Sequence, residues 1–202
     1  MFDRAAIALL KPGLTRMAGG LVRSGVGADA VTLAGFALGL GAAAAIACGR
    51  SSLGLALLLT SRLMDGLDGA VARLTTPTDR GAFLDVTLDF LFYASIPLAF
   101  ALVDPPANAL PASVLLTAFI GTGSSFLAFS VMAERRGLKS EDQPQKGIYY
   151  FGGLTEAAET LMCFALMCLW PQRFAMWAYG FAALCAVTIV TRIAAGWHAL
   201  RV

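Results

Sequence analysis

Residues 53–103 read LGLALLLTSRLMDGLDGAVARLTTPTDRGAFLDVTLDFLFYASIPLAFALV. Two apolar runs are visible, Leu53–Ala72 and Ala82–Val103. Each meets the roughly 20 residues that a helix needs to cross a hydrocarbon core about 30 Å thick. Neither run alternates as a membrane strand would. The short link Leu74–Arg80, with Pro77 inside it, predicts a turn that folds the two helices antiparallel. Asp65 and Asp68 are three residues apart and share one helix face, and Asp85 and Asp89, four apart, share another. The turn brings both faces together near the ends that it joins.

Working outward, four more runs have the same character: Val31–Cys48, Ala112–Ala133, Leu154–Trp170 and Phe174–Trp197. The sequence therefore predicts an all-α, polytopic membrane protein with six transmembrane helices. Of the 202 residues, 58% are hydrophobic and 14% charged, below the roughly 25% charge of a soluble domain. Gly49-Arg50-Ser51-Ser52, Asp104-Pro105-Pro106 and Trp170-Pro171 supply turn chemistry between runs. Trp170, Trp177 and Trp197 fall at span ends, where indole rings suit the interface. Gly35, Gly39 and Gly41 in the first run, and Gly121 and Gly123 in the fourth, suit close helix packing. Residues 1–28 read as an N-terminal interfacial amphipathic segment, and 29–202 as the six-helix bundle of a single domain. In that segment Ile7, Leu10, Leu14, Met17 and Leu21 recur at helical spacing among Arg4, Lys11, Arg16 and Arg23. No cleavable signal pattern is visible. Cys48, Cys163, Cys168 and Cys185 lie in apolar runs without metal-ligand spacing and read as packing residues.

Lysine and arginine set the orientation. Arg73, Arg80, Arg135, Arg136, Lys139, Lys146 and Arg201 fall on the same side as the basic N-terminal segment, whereas the other side holds only Arg50 and Arg173. The crowded side, with both termini and the aspartates, is expected to face the cytoplasm. A net charge of +2 without a clustered basic stripe gives no basis for nucleic-acid binding.

An ionised carboxylate at membrane depth costs at least a few kcal/mol. Four that face one another add repulsion, and Arg62 and Arg73 can neutralise two at most. Hard divalent cations with oxygen ligands account for the remainder, and paired metals on such a cluster suit in-line displacement at phosphorus. Magnesium or manganese, as two ions, is the expected cofactor. A purely structural salt-bridge network inside the bundle is the competing explanation, together with a small ion-coupled transporter. Transporters commonly place their ion sites near mid-membrane, whereas these carboxylates gather at one side.

The same stretch resembles the signature of the CDP-alcohol phosphatidyltransferase family, D-x2-D-G-x2-A-R, a short spacer, then G-x3-D-x3-D. Every fixed position is filled, by Asp65, Asp68, Gly69, Ala72, Arg73, Gly81, Asp85 and Asp89. The spacer of seven residues is one shorter than the commonest form, which alters the turn and leaves both helical faces intact. The resemblance implies that Asp65, Asp68, Asp85 and Asp89 bind metal and that Asp89 is also the general base. Gly69, Ala72 and Arg73 would line the CDP pocket. Thr32 and Asp29 are carried over from a motif that opens the first span in the family, although Ala28-Asp29 stands where a Pro-Asn pair is usual. The implied reaction moves a phosphatidyl group from CDP-diacylglycerol to a small alcohol acceptor with release of CMP, in a homodimer in the inner membrane of a bacterium. The opposite sense, a soluble CDP-alcohol donating to a lipid hydroxyl, is the alternative within the family.

The acceptor is the least explicit part. Arg135, Arg136, Lys139 and Lys146 precede the fifth span, which opens on Glu156 and Glu159. Fixed cations would suit a phosphorylated acceptor such as glycerol 3-phosphate, making the chain a phosphatidylglycerophosphate synthase. Members resembling inositol-phosphate synthases place arginine near the start of that span, and carboxylates there favour an unphosphorylated polyol or amino alcohol. A cysteine introduced at Ser140, in a background without the native four, should react with an impermeant thiol reagent only after cells are opened. Labelling of intact cells would reverse the orientation.

Overall fold

The computed structural model describes the backbone of residues 2–137 and 155–201, with side chains from residue 11 onward. Within these residues the chain is helical, without strands: α1 (Phe2–Arg23), α2 (Ala28–Ala47), α3 (Ser51–Leu74), α4 (Asp79–Val103), α5 (Pro105–Arg135), α6 (Ala157–Leu169), a 3₁₀ turn (Pro171–Arg173) and α7 (Phe174–Ala199). The helices α2, α4 and α5, and the continuous stretch Pro171–Ala199, are long and apolar enough to cross a membrane. Helix α3 carries Arg62, Asp65, Asp68 and Arg73, and α6 has only 13 residues.

Local chemistry explains the boundaries. Gly25 and Gly49 adopt positive φ (77° and 75°) just beyond the ends of α1 and α2. In each case the next residue reaches back five positions, Val26 N donating to Leu21 O and Arg50 N to Ala45 O, which closes the last turn on the orphan carbonyls. Thr78 caps α4 by accepting from Gly81 N at 3.1 Å. Asp104 caps α5 in the same manner, accepting from Ala107 N at 3.2 Å. Pro105 and Pro106 therefore begin a helix of 31 residues, and α5 starts seven residues before the apolar run at Ala112. Proline is tolerated in a first turn because its missing N–H has no intrahelical partner there.

Helix α2 packs most extensively on α3 and also on α4, and α5 packs on α7. Glycines make these approaches possible. A Cβ on Gly39 would lie 2.6 Å from the Phe92 ring and 3.0 Å from Ser61 Oγ, and one on Gly35 would lie 3.0 Å from Met64 Cβ. Gly121 and Gly123 seat Ile189 and the Phe90 ring. Gly41 makes only ordinary contact with Leu57 and is not a point of close approach. The main core joins Phe92, Ile96 and Phe100 of α4 to Phe164 and Met167 of α6 and Phe174 and Phe181 of α7. Phe100 and Phe174 stack at 4.8 Å. Trp177 packs against this core, whereas Trp170 and Trp197 are exposed. A second cluster sets Leu14, Ala18, Leu21 and Val22 of α1 against Leu67, Ala70 and Val71 of α3. Residues 13–20 are thus helical despite Gly13, Gly19 and Gly20, because burial of Ala18 against α3 outweighs their propensity cost.

Near the far ends of α4 and α5, buried Asn108 donates from Nδ2 to Phe100 O at 3.0 Å. That carbonyl lies in the last turn of α4, where the intrahelical ladder has run out. Asn108→Ala should therefore leave a buried acceptor unpaired, at a cost of about 1–3 kcal/mol. A lower melting temperature of the detergent-solubilised protein is the expected reading; an unchanged one would show that solvent reaches the carbonyl.

Candidate metal centre

The link Thr75–Thr78 sets α3 and α4 antiparallel, and helical spacing then aims Asp65 and Asp68 from one, Asp85 and Asp89 from the other, at a shared cleft. Oxygens of Asp65, Asp68 and Asp85 lie within 4.8 Å of one another. Asp68 is the most deeply set, 6% exposed, and its Oδ2 is buried with no hydrogen-bond partner. A buried carboxylate oxygen facing other carboxylates is a costly arrangement unless a cation satisfies it. The all-oxygen donor set and the orphaned atom fit a hard divalent cation such as magnesium or manganese.

Asp89 stands apart from the three. Its Oδ1 accepts from Arg62 Nη1 at 2.6 Å, and the same nitrogen reaches Asp65 Oδ1 at 3.4 Å. The Arg62 guanidinium lies over the Phe92 ring, 3.8 Å from its centroid. The cleft is lined by Arg62, Asp65, Asp85, Leu88 and Asp89 from α3 and α4, and by Thr32, Gly35 and Phe36 from α2. Among the described residues, the Arg62 guanidinium pairs with Asp89 and Asp65, and Asp68 Oδ2 stays unpartnered, which a purely structural salt-bridge network does not explain.

The remaining candidates divide. Arg73 folds back over Gly69: a Cβ there would lie 3.2 Å from Arg73 Nη1. Ala72 is half-buried on the same helix end. Thr32 lines the cleft and donates to Ala28 O at 3.1 Å within its own helix. Asp29 sits at the rim, accepting from Arg80 Nη2 at 2.5 Å; Arg80 is largely exposed, so the pair is worth at most about 1 kcal/mol. Gly81 lets α4 start against that pair, since a Cβ would meet Asp29 Oδ1 at 3.2 Å.

The acceptor candidates do not gather among the described residues. Arg135 and Arg136 end α5, and Arg136 Nη1 donates to Arg201 O at 3.4 Å. Lys139 and Lys146 lie outside the described residues. Glu156 and Glu159 form a capping box at the start of α6: Glu156 accepts from the backbone of Glu159, whose Oε2 accepts from Glu156 N at 3.1 Å. Their spacing of three before an apolar run is the signal for that role. Arg62, read from the sequence only as a neutralising charge, lines the cleft and bonds Asp89; its spacing of three from Asp65 is the local clue.

A sequence model of the CDP-alcohol phosphatidyltransferase family matches residues 26–194. The inner membrane protein YnjF of Escherichia coli K12 is 46% identical over 201 residues, 100% of this chain and 98% of that protein. The archaetidylinositol phosphate synthase of Methanothermobacter thermautotrophicus is 51% identical over 65 residues, 32% of this chain and 33% of that protein. Among solved structures, the phosphatidylinositol phosphate synthase of Mycobacterium tuberculosis with CDP-DAG bound matches with a TM-score of 0.73 at 24% identity, over 91% of this chain and 93% of that one. Its complex with manganese and citrate gives 0.71 at 24% identity, over 91% and 88%. At that identity the likeness shows a shared fold.

If the orphaned oxygen marks a cation position, manganese should raise the melting temperature of the purified protein, and Asp68→Asn and Asp85→Asn should each remove most of that rise. Equal stabilisation of parent and variants would place the cation elsewhere.

Proposed function

The chain belongs to the CDP-alcohol phosphatidyltransferase family, and we propose that it moves a phosphatidyl group from CDP-diacylglycerol to the hydroxyl of a small alcohol, releasing CMP. The observation that carries this reading is the three-carboxylate cluster with the unpartnered Asp68 oxygen, held between α3 and α4. The presence of CDP-DAG in the mycobacterial structure of the same fold supports the choice of donor.

In this reading the chain is one membrane domain of six spans, with α3 and α6 completing the four longer apolar helices, and it works as a homodimer. Helix α1 lies at the interface. Both termini and the site face the cytoplasm of a bacterial inner membrane, as the lysine and arginine distribution supports. Asp65, Asp68, Asp85 and Asp89 would hold divalent metal, magnesium or manganese, as two ions. Bound there, the metal would neutralise the diphosphate and the charge that develops on departing CMP. Gly69, with Ala72 and the Arg73 side chain that folds over it, would seat the CDP moiety; Thr32 would line its inner edge and Asp29 its rim. Asp89 would take the proton of the acceptor hydroxyl, which requires it to be ionised and correctly aimed. The cytoplasmic ends of α3 and α4 keep nucleotide and acceptor in water while acyl chains stay in lipid.

For the acceptor, a second reading has support. The case for an unphosphorylated alcohol rested on Glu156 and Glu159 facing it, yet the capping box engages both in the first turn of α6. Arg135, Arg136, Lys139 and Lys146 then favour a phosphorylated polyol, as the names of the archaeal and mycobacterial synthases also do. Purified protein with manganese, CDP-diacylglycerol and a panel of alcohols and their phosphates should release CMP with one class only. Asp89→Asn should bind CDP-diacylglycerol like the parent yet lose turnover by orders of magnitude. Absence of CMP release with every acceptor would refute the reading, and a matched fall in binding and turnover would make Asp89 a ligand only.

A further inference from the structure

Arg62 lies halfway along α3, about 17 Å from either end at 1.5 Å per residue. An arginine at that depth is costly and persists only where its charge is used. Its side chain is 12% exposed, and its contacts fix it on several sides. Nη1 donates to Asp89 Oδ1 at 2.6 Å. Nη2 donates to Ser61 Oγ at 3.3 Å, and Ser61 Oγ donates in turn to Gly35 O at 2.7 Å. The guanidinium carbon lies over the Phe92 ring, 3.8 Å from its centroid, a cation–π contact in a desolvated setting. One side chain thus ties α4 through α3 to α2 at the floor of the cleft.

We propose that Arg62 is a positioning residue: from the membrane side it aims the Asp89 carboxylate into the cleft, and it is the resident counter-charge that keeps α3 and α4 together when no metal is bound. The assignment rests on the reading of Asp89 given above. Arg62 occupies one oxygen of Asp89 and leaves the other for the chemistry of the cleft. The planar fork of arginine sets direction as well as charge, which the point charge of lysine cannot reproduce. Two roles can therefore be separated: charge neutralisation, which lysine restores, and aim, which it does not.

The test compares the full-length parent with Arg62→Gln and Arg62→Lys in lipid nanodiscs, using manganese alone as the first probe and CMP release as the second. Metal-free Arg62→Gln should melt below the metal-free parent, and saturating manganese should raise its melting temperature by more than it raises that of the parent. Arg62→Lys should melt like the parent without metal. At saturating manganese both variants should lose kcat by about a hundredfold, the scale of a small misplacement of a reacting group, with KM for CDP-diacylglycerol within a few-fold of the parent.

Parent-level kcat in either variant overturns the positioning role. Recovery of both stability and kcat in Arg62→Lys reduces Arg62 to a structural charge and overturns it too, as does a rise in KM at constant kcat. If Arg62→Gln does not fold, Arg62→Lys alone decides, because reduced kcat with normal manganese stabilisation supports the assignment and normal kcat defeats it. A parent that neither gains stability from manganese nor releases CMP sinks the functional reading and this inference with it, an outcome visible before any variant is made.

Discussion

Carboxylates carried on membrane-depth helices must be neutralised, and the arrangement of this chain follows from that constraint. Asp65, Asp68, Asp85 and Asp89 can be tolerated together only where water and cations reach them, and they cluster in the halves of α3 and α4 that Thr75–Thr78 joins. The Arg62 guanidinium inside the cleft answers Asp89 and Asp65. The buried Oδ2 of Asp68, which has no hydrogen-bond partner, marks the place for a ligand.

Support for that cluster comes from unusually small residues behind it. Helix α2 meets α3 with Gly35 and Gly39 against Met64 and Ser61, close enough for Ser61 to donate to the Gly35 carbonyl. On the other flank α1 lays Leu14 and Ala18 along Leu67, Ala70 and Val71, the face of α3 turned away from the cleft. The helix that supplies Asp65 and Asp68 is therefore held from two directions, and its carboxylates need little reorganisation to meet a ligand.

Period and length made the helices legible in the sequence, and two pairs of aspartates at helical spacing made the cleft legible with them. What escaped was decided by interactions that have no period. The start of α5 depends on the Asp104 side chain reaching Ala107 N, which turns a proline pair from a break into a beginning. The role of Glu156 and Glu159 depends on reciprocal bonds to backbone rather than on their charge. Arg62 is a lone cation within an apolar run; that it bridges two helices can be seen only once α3 and α4 face each other across the cleft.

The glycine contacts of α2 carry a consequence for how this chain can vary. Leu33 and Leu40 on its outer surface are 52% and 45% exposed, and any apolar side chain of similar length serves there. At positions 35 and 39 even a methyl group intrudes on Met64, Phe92 or Ser61. Mutational tolerance around this one helix is thus sharply directional: permissive towards the lipid, and nearly closed on the strip that faces the aspartates.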